Sequence, residues 1–421
     1  MIDMEILRND PGIVKNSLKK RNMDEKLVDE VLNVDVEWRR LLTEINNLRK
    51  ERNKKSKEIA NLAKEERTKA IEETKKLSDS IEKKESRLRE TEEKRSHLLA
   101  RVPNLLLDSV PYGESENDNV EIKRWGEPKK FDFKVRDHVD LGINLDIIDI
   151  ERAAKVSGAR FFYLKNDAVL LEFALIKYGF EKLLKEGFVP VIPPVLTREF
   201  ALFGTGWLPF GEEDIYRIKG EDLCLTGTAE VPLGAMHTDN IFSYNELPKC
   251  YAGFSTCFRT EAGAHGKDTK GIFRVHQFDK IEMFNFCLPE KSEAEHEKLL
   301  NTAEQICQGL EISYRVVNVC SNDLGASAAK KYDIELWLPG QNRYREMVSC
   351  SNCLDYQARR LMIRYRSKEG EIKYVHTLNG TAIAIERTMV AILENYQQAN
   401  GSVLIPKVLQ EYMGKERIEK H

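Results

Sequence analysis

What the chain lacks bounds it first. Between Leu27 and Val102 it has no glycine and no proline, the two residues that most readily interrupt a helix. No run of 18 apolar residues occurs, so a membrane-spanning helix is excluded on length. The N-terminus, MIDMEILRNDPG, has neither the basic start nor the apolar stretch of an export signal, and secretion is not expected. Cysteine is sparse, eight in 421 residues, which is no disulfide scaffold in a chain this long. Cys350 and Cys353 form the only C-x-x-C, with no second pair at zinc spacing, and read as reduced thiols in a packed strand. A reducing cytoplasm is the expected setting. No G-x-x-x-x-G-K-[ST] phosphate loop appears, which disfavours a Walker-type ATPase, and no Ser-His-Asp or Cys-His nucleophile stands out. A net charge of -3 means that any contact with a polyanion must be a local patch. What remains, 41% hydrophobic and 32% charged residues, suits a charge-rich globular protein with room for two or three domains.

The glycine- and proline-free stretch is dominated by Glu, Lys, Arg and Leu. Leu27, Val31, Val34, Trp38, Leu41, Ile45, Leu48, Arg52, Lys55, Ile59 and Leu62 follow the alternating four-three spacing of a coiled-coil seam. After a break expected at Lys64 to Thr68, a second ladder runs from Ala70 through Thr74, Leu77, Ile81, Lys84, Leu88, Thr91, Arg95 and Leu98 to Val102. Laid antiparallel, Lys55 faces Leu77, Arg52 faces Ile81, Lys84 faces Leu48 and Arg95 faces Trp38. Each polar seam residue then meets an apolar one that its stem can cover. The register predicts an intramolecular hairpin over residues 1–110, its helices about 50 Å long. Arg49, Lys50, Arg52, Lys54, Lys55 and Lys57 crowd one stretch of it, six positive charges against one negative. A solvated helix face and a contact with nucleic-acid phosphates both fit that composition.

Residues 111–130 are polar and irregular and read as a linker. Over 131–421 the pattern is mixed α and β. AVLLEFALIKYGFEKLLKEG predicts a helix ending at Gly187, and FVPVIPP an extended segment after it. Ile272 to Phe284 alternates, with Arg274, His276, Phe278, Lys280 and Glu282 on one face. With Phe254–Glu261 it predicts an antiparallel hairpin around a long small-residue loop, Arg259 and Glu261 sharing a face by their i, i+2 spacing. YVHTLNGTAIAIERTMVAILENYQ predicts a strand, a break at Asn379-Gly380 and an apolar helix. An arginine for phosphate, an aromatic ring for a base and carboxylates for amines would make a nucleotide-plus-amine pocket. A structural ion network gives the same composition, so the chemistry alone leaves both open.

These segments, taken together, resemble the seryl-tRNA synthetases, a branch of the class II aminoacyl-tRNA synthetases, over essentially the whole chain. GFVPVIPP resembles motif 1, FRTEAGAHGKDTKGIFRVHQFDKIE motif 2 and NGTAIAIERTMVAILEN motif 3; TGTAE resembles the serine-binding loop, and EMVSCSNCLDYQARR a signature of the seryl branch. The resemblance implies an α+β fold: an antiparallel-sheet catalytic domain behind a long antiparallel helical hairpin that binds tRNA. It implies that Arg259 holds the α-phosphate and the substrate carboxylate, with Thr260 beside it. Glu261 would accept the adenine amine, Phe278 stack on the base and Val275 contact adenine through its backbone. Arg387 would bind the γ-phosphate. Glu346 and Ser349 would be ligands of a Mg²⁺ bridging ATP phosphates, hard donors for a hard cation, with Met347 and Val348 alongside. Thr228, Ala229 and Glu230 would orient the ammonium of L-serine, and Glu282, Asn379 and Thr381 would read its hydroxyl.

The implied reaction is activation of L-serine by ATP to seryl-adenylate, then transfer to the terminal ribose of tRNA(Ser), with tRNA(Sec) a further candidate. A homodimer binding tRNA across its subunits is implied by motif 1. One position departs from the pattern: many bacterial-type members carry glycine where Glu386 precedes Arg387. His265 in the loop reads as a solvated residue, with the tRNA acceptor end the alternative, and His276 as a hydrogen-bonded strand residue. Two other readings compete: an amino-acid-activating enzyme that loads a carrier protein, and a non-catalytic coiled-coil nucleic-acid binder. The complete arm argues against the first, and Arg259, Glu346 and Arg387 together argue against the second.

Overall fold

The computed structural model describes residues 1–59, 63–262, 268 and 270–420, so the readings of Leu62 and His265 lie outside the described residues. The chain forms two compact units, Ile2–Pro103 and Asn104–His421, the latter with Met1.

In the first unit, two short helices, Met4–Asn9 and Pro11–Lys20, start on the aspartates Asp3 and Asp10, whose carboxylates accept first-turn N–H groups. The long helices α1 (Lys26–Ile59) and α2 (Lys64–Ala100) follow. The break expected at Lys64–Thr68 is not there: α2 is already helical at Lys64, as its run of good helix formers favours. Val31, Val34, Leu41, Ile45 and Ile81 are buried, as a seam requires. The register is the antiparallel one. The Arg95 guanidinium lies 3.9 Å from the centre of the Trp38 ring, while Arg49 pairs with Glu85 (2.7 Å) and Lys55 with Glu73 (3.0 Å). Asp35, off the seam, is buried and takes hydrogen bonds from Arg8 and Arg95. Its burial opposes ionisation, but the two guanidiniums outweigh that and hold its pKa below the usual carboxylate range.

The second unit is built on an eight-stranded sheet. Its strands are β1 (Val120–Trp125), β2 (Val189–Val191), β3 (Lys249–Phe258), β4 (Gln277–Cys287), β5 (Tyr314–Asn318), β6 (Lys330–Leu338), β7 (Arg343–Asn352) and β8 (His376–Ala384), in the order β1-β5-β6-β7-β8-β4-β3-β2. All neighbours are antiparallel except β2, which joins β3 in parallel. Helices α3 (Asp167–Lys185), α4 (Ser292–Gly309) and α5 (Ile385–Tyr396) share one apolar core with the sheet. Gly179 brings α3 close, since a Cβ there would stand 2.8 Å from both Ile281 and Ile383.

Several expectations change. Residues 104–110 pack with this second unit, Asn104 and Leu107 donating N–H bonds to the carbonyls of Ala326 and Ala329. The segment read as a linker contains β1, an edge strand whose residues are almost all exposed, so no apolar alternation betrays it. The second hairpin strand starts at Gln277 rather than Ile272, and the first ends at Phe258. Glu261 has φ of +53°, so strand alternation does not relate it to Arg259. His276 precedes the strand; its Nδ1 lies 3.0 Å from the Arg259 carbonyl. There is no break at Asn379-Gly380. β8 runs straight through, because both residues pair with β7 and β4 in mid-sheet.

Candidate active site

One face of the sheet collects the reactive side chains. Asp333 pairs with Ser349, Ser351 with Asn379, Thr381 with Glu282, and Glu282 with Gly253 across successive strands. Paired residues point to the same side, so this row lies on one face. Glu346 and Ser349 are three apart, a spacing that in a regular strand would put them on opposite faces. A bulge at Met347, where Glu346 pairs with Glu335 but Val348 with Ile334, restores them to one side. A second bulge lies between Thr381 and Ile383, just before β8 gives way to α5.

Beyond the ends of β3 and β4 lies a cavity of about 160 Å³. Arg259, Glu261, Val275, Phe278, Glu346, Met347, Ser349, Thr381 and Arg387, nine of the residues named from the sequence, line it. It adjoins a larger cavity of about 680 Å³, and Phe273, Arg274, Glu346 and Arg387 line both. The Arg259 guanidinium lies 5.3 Å from both the Phe278 and Trp207 ring centres, and its Nε donates to the Gly227 carbonyl at 3.1 Å. Gly227 lets the Trp207 ring lie this close, since a Cβ there would meet that ring at 2.9 Å. Among the described residues no carboxylate is ion-paired with Arg259. Arg387 donates to the carbonyls of Phe273 (3.3 Å) and Glu346 (3.1 Å) and stands 3.8 Å from the Glu346 carboxylate. Desolvation opposes ionisation of Glu346, yet the charges of Arg387, Lys331, Arg259 and Arg274 prevail and keep its pKa low. Glu261 is paired with Arg274 at 2.9 Å.

A second cluster abuts the first. Glu230 opens the short helix Glu230–Ala235, its N–H bonded to the Thr228 hydroxyl at 3.2 Å. Its carboxylate accepts from Gln357 (2.8 Å) and Asn379 (3.0 Å). Desolvation, reinforced by the charge of Glu282, pushes its pKa up to about 7. Glu282 is buried, pairs with Lys280 at 2.7 Å and accepts from the Thr381 hydroxyl at 3.3 Å. Such a set of carboxylates, a hydroxyl and an amide suits a small ligand with an ammonium and a hydroxyl group.

The structure separates a few of the remaining residues. Val348 faces the apolar core, and the Thr260 hydroxyl bonds the Glu213 carbonyl. Ala229 is buried in a neighbouring apolar cluster beneath Thr228 and Glu230. Three participants had no assigned role in the sequence reading. Lys280 was visible in the alternation of β4, but nothing marked its partner; Trp207 and Gln357 lie far along the chain from the groups they touch. Glu346 and Ser349 are two hard oxygen donors on one face, one of them held ionised. That set suits Mg²⁺, which takes few protein ligands and fills its shell from phosphates and water.

Residues 1–106 match the family described as the seryl-tRNA synthetase N-terminal domain, and residues 215–396 match the tRNA synthetase class II core domain (G, H, P, S and T). A serine–tRNA ligase of Dictyoglomus turgidum is 51% identical over 421 residues, covering 99% of each chain. Among solved structures, the seryl-tRNA synthetase from Pyrococcus horikoshii complexed with ATP superposes with a TM-score of 0.95 at 46% identity, covering all of both chains. The cytoplasmic serine–tRNA ligase from Naegleria fowleri in complex with AMP gives 0.89 at 35% identity, covering all of this chain and 99% of that one.

Proposed function

The chain belongs to the seryl-tRNA synthetase family, and from that premise we propose how its residues divide the work of an ATP-dependent serine–tRNA ligase. The enzyme activates L-serine with ATP and passes the seryl group to tRNA(Ser). In the first step a serine carboxylate oxygen attacks the α-phosphorus of ATP, the bond to the bridging oxygen breaks, and pyrophosphate leaves with its electron pair. In the second the terminal ribose hydroxyl of tRNA attacks the acyl carbon and AMP departs. Neither step needs a protein nucleophile; both need charge stabilisation and alignment.

Arg259 bridges the serine carboxylate and the α-phosphate, a bidentate task for a planar guanidinium. What carries this is its state in the cavity: 5.3 Å from two ring centres and ion-paired with no carboxylate among the described residues. Phe278 and Val275 hold the adenine, Glu261 accepts its amine by exchanging its contact with Arg274, and Arg387 takes the γ-phosphate. Glu346 and Ser349 would hold Mg²⁺, which would supply charge neutralisation on the phosphates. Glu230 and Thr228 hold the ammonium, while Glu282, Thr381 and Asn379 read the hydroxyl. An analogue lacking that hydroxyl leaves buried polar groups unmatched, so alanine is rejected by about 10⁴-fold.

The hairpin unit holds the tRNA. Lys50, Lys54 and Lys57 are exposed and free of ion pairs to described residues, which supports a phosphate contact there. We propose tRNA(Sec) as a second substrate for the same surface. Exposed apolar side chains on α3 and around β2, among them Phe173 (63% exposed), Leu184 (52%) and Ile192 (82%), support a homodimer with tRNA bound across subunits. Eight unpaired thiols support a reducing, cytoplasmic setting.

Serine-dependent ATP–pyrophosphate exchange tests the assignment. Serine supports it; alanine, glycine and threonine do not. Glu282→Ala loses the preference for a hydroxylated substrate, and an unchanged preference rejects that role. Formation of an aminoacyl ester on added tRNA separates this reading from carrier-protein loading.

A further inference from the structure

Where β8 turns into α5, its ladder with β4 stops. The last pair is Ala384 with Lys280, and helix α5 begins at Ile385. The next residue of β4, Asp279, would face this gap with its N–H lacking a ladder partner. The Glu386 side chain fills the place instead: both carboxylate oxygens lie 3.0 Å from the Asp279 N–H. Glu386 is 4% exposed. On its other side Asp279 still pairs with Thr256 of β3. A side chain of the helix therefore continues the sheet by one rung.

That rung adjoins the nucleotide cavity. Phe278, the next residue, lies under the Arg259 guanidinium and lines the same cavity as Glu386. Phe278, Asp279, Glu172 and Glu386 also line a separate cavity of about 280 Å³, so part of the ring's surroundings on that side is not close-packed. Burial pushes the Glu386 carboxyl well up from its usual range, and the charges of Asp279 and Glu172 push in the same sense. What the Asp279 N–H needs from this side chain is an oxygen acceptor. Its chain neighbour on the other side is Arg387.

We propose that Glu386 is a positioning residue for ATP: by capping the Asp279 N–H beyond the end of β8, it holds Phe278 where the adenine stacks. This rests on reading the cavity as the ATP site, and it gives the departure noted before the motif 3 arginine a defined task. Without the carboxyl, the Asp279 N–H loses its acceptor, and the backbone that carries Phe278 loses its tie to α5.

Steady-state pyrophosphate exchange on Glu386→Ala, Glu386→Gln, Phe278→Ala and the Phe278→Ala/Glu386→Ala double variant tests it. Glu386→Ala raises the KM for ATP about tenfold and leaves the KM for serine within about twofold, a split that general loosening of the fold would not give. Glu386→Gln, which keeps the acceptor, stays within about threefold of the parent. The double variant is no worse than Phe278→Ala alone, because both changes remove one interaction. Multiplying effects in the double variant, or an unchanged KM for ATP in Glu386→Ala, overturn the inference. Should Glu386→Ala not fold, Glu386→Asp, too short to reach the Asp279 N–H, is read in its place with the same expected rise. If Phe278→Ala leaves the KM for ATP unchanged, the ATP-site reading fails and takes the inference with it. If only the Glu386 variants are silent, that reading stands and the inference alone falls.

Discussion

The hairpin and the sheet face use the same charged residues to opposite ends. On the hairpin, Arg49–Glu85 and Arg87–Glu37 bridge two helices at the surface, with both partners substantially exposed. Pairs of this kind contribute about 0–1 kcal/mol each, so they tune register and solubility more than stability. On the sheet face, Lys280 and Glu282 are paired at 9% and 3% exposure. Among the described residues, half-buried Glu230 has no cation at hydrogen-bond distance and Arg259 is ion-paired with no carboxylate. Burying charge this way is costly unless a ligand completes it. The ion pairs on the arm are finished in the free protein; on the sheet, in the proposed reading, Glu230 and Arg259 are completed by substrate.

The largest test of that contrast is Arg259→Ala. If Arg259 bridges carboxylate and α-phosphate as proposed, its removal should lower exchange activity by about 10³-fold, or about 4 kcal/mol, with unfolding unchanged. A loss below about tenfold would class Arg259 with the ordinary pairs of the arm. Asp35 is the arm's exception, a buried carboxylate between two arginines. Asp35→Ala should destabilise the hairpin unit by about 3 kcal/mol in urea unfolding, because Arg95 is left without its partner. Loss within the range of a surface pair would show that burial does not decide its worth.

Smaller again is the effect of the exposed lysines. Reversing Lys50, Lys54 and Lys57 to glutamate should raise the KM for tRNA by about tenfold or more and flatten its salt dependence. Pyrophosphate exchange, which needs no tRNA, should be untouched. An unchanged KM for tRNA would return the stretch to a solvated helix face.

The same contrast explains what could be read beforehand. The hairpin was legible because its order is local: a period in the sequence is a seam in space, and the Arg95–Trp38 contact follows from register alone. The site's residue types were legible through motif resemblance, and most of them do converge on one cavity. The devices that aim them were not. The bulge at Met347 inserts a residue that no alternation announces, and it alone brings Glu346 and Ser349 to one side. The role of Glu386 depends on where β8 stops, a long-range pairing that one sequence does not display. The polar edge strand β1 hid for the opposite reason, having almost no buried side to mark it.

The subtlest expected effect is set by pH. Glu230 has its pKa raised from 4.5 to about 7, chiefly by burial and secondarily by the charge of Glu282. Such a carboxyl holds its proton more tightly folded than unfolded. In the free enzyme it therefore contributes stability that is fully present below pH 4.5 and is lost as the pH rises through 7. With Glu230 in its proposed role, serine binding runs the other way, because the ammonium needs the ionised form. Between pH 8 and pH 6 the KM for serine should rise about tenfold while the thermal stability of the unliganded enzyme increases. In Glu230→Gln both slopes should flatten, with serine bound weakly at every pH. Parallel rather than opposed slopes in the parent would mean that Glu230 does not carry the ammonium, and that this half-buried carboxylate, like the pairs of the arm, is already complete without substrate.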